Sequence, residues 1–163
     1  MESQTPGSEF RVAPSSSALI EAEDAGWGKL HALTDSLSPR EADRPGYYPE
    51  GWSVTDLLGH VGSWLAASGS VLERIRAGTY RPEEIDVDEW NERFLTAMKG
   101  VSFEDARAQA IVARARMLQA WSELGDLTPE AAFWIDKSGA AHYGEHLPRL
   151  AEWVDELHRE EDT

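Results

Sequence analysis

The run HYGEH at residues 142–146 places two histidines four residues apart. On a helix that spacing stacks both rings on one face, one turn apart, with ring nitrogens close enough to share an ion. The same face continues through Leu150, Trp153 and Leu157. On an ideal helical wheel His142 and His146 fall roughly 50–90° to one side of its centre. They therefore sit at the edge of a core, where a pocket between helices would open. Two readings share this spacing: a pair of metal ligands, or two core-edge imidazoles bonded to backbone or carboxylates. A third histidine, His60, lies in WSVTDLLGHVGSW on a flank shared with Trp64 and Val71. Taken singly, it reads as a satisfied core histidine. With the other two it supplies what a three-nitrogen site inside a helical bundle needs, imidazoles from two separate helices.

Other side chains near these three have weaker signals. Tyr143 falls on the buried seam; as a catalytic group it would present its hydroxyl to the pocket, and as a core residue it would satisfy that hydroxyl elsewhere. Trp52, Trp64, Trp90 and Trp134 are candidates for pocket walls, each with plain packing as the alternative. Glu145 points away from the seam and reads as a surface acid. Asp136 reads as a cap for the last helix, or as a group orienting a histidine. Asn91 sits where a connecting helix would cross the pocket mouth. His31 has no partner in sequence, and His158 lies near a helix C-terminus.

The elements that must position these groups are helical. Residues 1–14 (MESQTPGSEFRVAP) are polar and broken by prolines, which predicts a flexible tail. Ser15, Ser16 and Ser17 offer caps for a first helix to about Leu37, with a stripe of Leu19, Ile20, Trp27, Leu30, Leu33 and Leu37. SPREADRPGYYPEG, ending at Gly51, is a proline-punctuated loop. Ser53 and Asp56 resemble a capping box opening a second helix, whose apolar repeat runs from Val54 to Ile75 and stops at Gly78. A shorter helix spans about Val87 to Lys99. Another opens at Ser102 and ends near Gly125, and TPEAAFWID forms a short helical turn. The last helix, about Gly139 to Arg159, buries Tyr143, Leu147, Leu150, Val154 and Leu157, with a kink expected at Pro148. Four long amphipathic helices imply an all-α four-helix bundle over residues 15–160, with an extra short helix between the second and third long ones.

Composition narrows the partners. The apolar share of 41% is ordinary for a globular chain, and 163 residues suit one domain. Thirty acidic residues against 15 basic ones, a net charge of −15, argue against nucleic acid and against anionic membranes. The chain has no cysteine, which excludes disulfides, thiolate ligands and a cysteine nucleophile. No apolar stretch reaches the roughly 18 residues that span a bilayer, and the N-terminus lacks signal-peptide order, so a cytoplasmic protein is expected. Seven tryptophans suggest bulky core wedges or a pocket with aromatic walls.

GWSVTDLLGHVGSW resembles the second-helix signature of the DinB superfamily, and AAHYGEHLPRLAEW its last-helix signature. That superfamily includes YfiT-like metal hydrolases, mycothiol-dependent maleylpyruvate isomerases and thiol transferases, and self-resistance proteins of the ClbS/DfsB type. The HY-x-EH form resembles the last of these. The likeness spans about Leu19 to Glu156 and is specific only at the two motifs. It implies that His60, His142 and His146 are the ligands of a divalent metal, zinc or nickel. Three neutral imidazoles leave the ion its full charge and an open position, enough to bring bound water to a pKa of about 7 or to stabilise a thiolate. With no cysteine in the chain, thiol chemistry would need a low-molecular-weight thiol cosubstrate. The resemblance also implies a homodimer, although no interface is marked.

The expected function is therefore a metal-dependent DinB-like enzyme, a hydrolase or thiol S-transferase acting on a reactive small-molecule electrophile in detoxification or self-resistance. Two alternatives stand beside it. One is a metal-independent hydrolase of the ClbS/DfsB type; the other is a non-catalytic bundle that sequesters a small molecule.

Overall fold

The computed structural model describes residues 16–163, so the tail expected over 1–14 lies outside the described residues. Every regular element in that span is helical, as the periodicity requires. The four long helices are α1 (Ser16–Asp35), α3 (Val54–Ala77), α5 (Phe103–Ser122) and α7 (Ala140–Glu161). Between them lie α2 (Pro39–Ala42), α4 (Val87–Ala97) and α6 (Pro129–Ser138). None of these helices is long and apolar enough to cross a membrane.

Local chemistry sets the boundaries. Ser53 accepts from the Asp56 backbone N–H while the Asp56 carboxylate accepts from Ser53 N–H, so Asp completes the box as Glu usually does. Gly78 closes α3 in the left-handed conformation, at φ 71°. The segment read as loop also holds one helical turn, α2. Ser38 and Glu41 form a complete capping box there with Pro39 beside the cap, a signal masked by Pro45 and Pro49 further along. At α6 the chain departs further from expectation, because ten residues of helix replace a single turn. Gly139 alone joins α6 to α7. A Cβ there would stand 2.7 Å from the Ile135 carbonyl oxygen, so the corner admits only glycine without movement. Asp136, expected to cap the last helix, lies inside α6, and α7 begins without a side-chain cap. The helix continues unbroken through Pro148.

The bundle is assembled from two close pairs, α3 on α5 and α1 on α7, with α6 laid against α3 and α7. Small residues bring the first pair together. A Cβ on Gly62 would meet the Ala110 backbone at 3.1 Å, and one on Gly69 the Met117 backbone at 3.4 Å. The core between the pairs holds Leu30, Leu57, Leu65, Leu72, Met117, Leu150 and Leu157, all fully enclosed. Ile20, expected in the α1 stripe, is 49% exposed; Leu19 and Glu23 take the inward positions around it. Glu23 is buried to 1% because Arg114 of α5 reaches it with two bonds of 2.6 and 2.8 Å, and the Tyr143 hydroxyl donates to it at 3.1 Å. This cluster ties α1, α5 and α7 together in the interior.

Removing one member should be costly, because the other charge stays buried. Arg114→Ala is expected to lower the unfolding free energy by about 3 kcal/mol in urea titration. Arg116→Ala, which breaks the exposed pair with Glu73, should change the urea midpoint little.

Candidate metal centre

His60 projects from the second turn of α3, and His142 and His146 project from the first two turns of α7. Each is buried, with 6–8% of its surface exposed. The rings meet nitrogen to nitrogen: His60 Nε2 lies 2.8 Å from His142 Nε2, which lies 3.2 Å from His146 Nε2. Facing nitrogens in neutral imidazoles need a hydrogen or a cation between them. Burial opposes protonation as the answer. It pushes the pKa of His60 down to about 3, aided by the charge His142 and His146 would carry, and brings His142 and His146 to about 4. At His142 the Ser138 backbone offsets part of that shift. A cation fits the donor set better: tetrahedral zinc bonded to imidazole at about 2.0–2.1 Å would space ligand nitrogens at roughly 3.3 Å. Among the described residues, these three histidines form a group that could hold a metal ion.

The remaining ring nitrogens differ in their surroundings. His60 Nδ1 is buried without a hydrogen-bond partner. His146 Nδ1 faces two phenols, with Tyr47 Oη and Tyr48 Oη each 3.0 Å away. Neither tyrosine stood out in sequence, because both sit in the loop after α2, far from either histidine motif. The proximity that matters is created by Arg149, whose guanidinium holds the carbonyls of Gly46 and Tyr47 against α7 at 3.1 and 2.8 Å.

A cavity of about 680 Å³ opens at the three rings, a size suited to a small-molecule ligand. Trp52, Trp64 and Trp134 line it. Trp90 does not; it stacks on the back of Trp64 with ring centres 5.6 Å apart, because α4 lies across α3 and turns that ring inward against it. Asn91 does reach the cavity, and its Oδ1 accepts from Trp64 Nε1 at 2.7 Å. Glu145, read as a surface acid, is exposed yet borders the opening with Glu83 and Lys137. Tyr143 is the clear departure from the catalytic expectation. It is fully buried, and its hydroxyl turns to Glu23 rather than into the cavity. Burial and the Glu23 carboxylate both raise its pKa, keeping the hydroxyl neutral and donating. His31 stacks on Trp27, and His158 lies 4.0 Å from Glu41, both apart from the centre.

With the geometry in place, the chain can be set beside known proteins. It belongs to the mycothiol maleylpyruvate isomerase N-terminal domain family, whose model matches residues 24–160, within the DinB/YfiT-like superfamily that the two motifs resemble. No curated protein sequence matches it. Solved structures share the fold, three of them as follows. The colibactin self-resistance protein ClbS, solved in complex with double-stranded DNA, is 17% identical with a TM-score of 0.74, covering 87% of this chain and 96% of ClbS. An uncharacterised protein from Escherichia coli UTI89 is 16% identical with a TM-score of 0.73, covering 88% of this chain and 95% of its own. DfsB, a sibling lethal factor precursor, is 15% identical with a TM-score of 0.69, covering 87% and 96%. At these identities the likeness is one of fold.

The depressed imidazole pKa values set a sign for pH dependence. In metal-free protein the unfolded chain takes up protons below about pH 6.5, while the folded chain resists until pH falls toward 3–4. The stability these groups contribute is complete above that upper value and is lost as pH drops through the window. Chelator-treated protein should therefore show a lower urea midpoint at about pH 5 than at about pH 7.5. The variant with all three histidines changed to Gln should lose much of that difference; an equal drop in the variant would assign the effect to other groups.

Proposed function

We propose that this protein is a metal-dependent DinB-like enzyme that disarms a reactive small-molecule electrophile, by hydrolysis or by transfer to a thiol. The observation that carries the reading is the convergence of three buried imidazole nitrogens at the head of an aromatic-walled cavity. His60, His142 and His146 would hold a divalent ion, zinc or nickel. When bound, that ion would supply Lewis acidity at the cavity head. The other tasks fall to the chain's own side chains. Trp52, Trp64 and Trp134 bind apolar surface and exclude water from it, and Asn91 fixes the orientation of Trp64. Burial keeps the three imidazoles neutral and available as donors of lone pairs. The chain has no cysteine, so a sulfur nucleophile would come from a low-molecular-weight thiol.

Family membership supports a role in detoxification or self-resistance, and the fold shared with a colibactin self-resistance protein agrees with it. ClbS was solved with DNA. For this chain a small molecule is the better partner, because 30 acidic residues would face the phosphates with only 15 basic ones. The aromatic walls also favour a second reading, in which the cavity holds an apolar ligand without changing it.

Purified protein is expected to carry bound zinc or nickel, and His146→Ala to lose it. Added zinc at about 100 times its Kd should stabilise the metal-free chain by about 2.7 kcal/mol. Turnover of a generic electrophile such as 4-nitrophenyl acetate, with and without added thiol, should stop on chelation and return with metal. Activity that survives chelation would select a metal-independent hydrolase. A ligand that quenches tryptophan fluorescence and is recovered unchanged, without turnover, would select sequestration.

A further inference from the structure

We propose that Tyr47 is the positioning residue that decides which nitrogen of His146 carries the ring hydrogen, and thereby turns the Nε2 lone pair toward His60 and His142. The use of that lone pair rests on the metal-binding reading above; the tautomer itself is a property of the metal-free chain.

Hydrogen-bond accounting assigns the roles. The Tyr47 oxygen stands 3.0 Å from His146 Nδ1 and 3.3 Å from the carbonyl oxygen of the same histidine. A carbonyl only accepts, so an arrangement in which both contacts are hydrogen bonds sends the Tyr47 hydroxyl hydrogen to it. The Tyr47 oxygen is then left with lone pairs facing Nδ1, and Nδ1 must donate. One phenol thus grips the ring and the backbone of a single residue, and the hydrogen is held on the side away from the other two imidazoles. Tyr47 is fully buried, which keeps water from its hydroxyl, and the Tyr48 phenol is its other polar neighbour.

Tyr48 cannot make the same choice. Its oxygen is also 3.0 Å from Nδ1, but among the described residues it bonds no carbonyl, and it borders the cavity. Its hydroxyl can therefore accept from Nδ1 or donate to it. The loop that carries both residues is fastened to the helix that carries His146. Gly46 and Tyr47 N–H both donate to the Trp52 carbonyl, at 3.0 and 2.9 Å, and Arg149 binds the loop from the other side. Gly46 permits this path with φ of 127°, against the Trp153 ring that Arg149 covers. Where a histidine binds metal through one nitrogen, the partner of the other nitrogen sets its tautomer and orientation.

The consequence is an asymmetry between two adjacent phenols. In Tyr47→Phe the carbonyl-bound hydroxyl is gone, and Tyr48 becomes free to donate to Nδ1, which moves the ring hydrogen to Nε2. Tyr48→Phe leaves the Tyr47 bridge intact. The test is a long-range proton–nitrogen correlation spectrum of metal-stripped, ¹⁵N-histidine-labelled protein at about pH 8, where the rings are neutral. His146 is identified by the signal missing in His146→Gln. Wild type and Tyr48→Phe should show hydrogen on Nδ1, and Tyr47→Phe should show it mainly on Nε2. In competition titrations the zinc Kd should rise about 10–100-fold in Tyr47→Phe and change less than about threefold in Tyr48→Phe. Hydrogen on Nε2 in wild type overturns the proposal, as does a Tyr47→Phe variant that keeps both tautomer and zinc Kd. If the tautomer pattern holds but no variant and no wild type binds zinc, the assignment of Tyr47 stands and the metal reading falls.

Discussion

The arrangement depends on one approach: α3 and α7, which pack chiefly on other helices, come within 2.8 Å of each other through two imidazole nitrogens. Two neutral imidazoles approach this closely only with a hydrogen or a cation between the facing nitrogens, and the backbone sets where that point falls. Burial sharpens the constraint, since protonation would place positive charge where water cannot solvate it. The rest of α7 is organised to keep this register. Glu23 and Arg114 grip the helix through Tyr143, one residue beyond His142. Arg149, three residues beyond His146, fastens the loop that carries Tyr47 and Tyr48. Gly139 fixes where the helix begins by allowing α6 to fold back without a Cβ in the corner.

Adjacent residues on α7 therefore do different work. His142 and His146 turn toward α3 and the cavity, whereas Tyr143 turns toward α1 and a buried ion pair. The seven tryptophans divide in a similar way. Trp27, Trp121 and Trp153 fill the core, Trp52, Trp64 and Trp134 face the cavity, and Trp90 supports Trp64 from behind. An unusual aromatic content thus serves both as packing and as the wall of a site. A shared bundle does not dictate a reaction, because one fold hosts many chemistries. What bears on the reaction is the set of groups at the head of the cavity.

Much of this was legible in the amino-acid order, where local rules act alone. Capping residues and period-3.6 apolar spacing were enough for the four long helices, and the i, i+4 histidines of HYGEH were enough for two inward rings on one helix. The third ring followed from a motif resemblance and from its place on the flank of α3. Elements whose signals conflict were harder to read. The Ser38–Glu41 capping box was hidden among prolines, and α6 runs on from the turn that Thr128 and Pro129 open as far as Ser138. Ile20 was placed inward by spacing alone, whereas the Glu23–Arg114 pair draws a charged residue into the interior beside it. Tyr47 and Tyr48 were illegible for a plain reason: they lie 99 and 98 residues from His146, joined to it only by tertiary folding. Asn91, Glu145 and Trp90 depend on where α4 and the cavity mouth fall, which helix periodicity does not specify.

X-ray absorption at the zinc edge of the zinc-loaded protein tests the common point of the three rings most directly. The expected spectrum shows three imidazole ligands bonded through nitrogen at about 2.0–2.1 Å, with the remaining position held by a light atom. Fewer than three imidazoles, or a shell dominated by carboxylate oxygen, would contradict the centre described above.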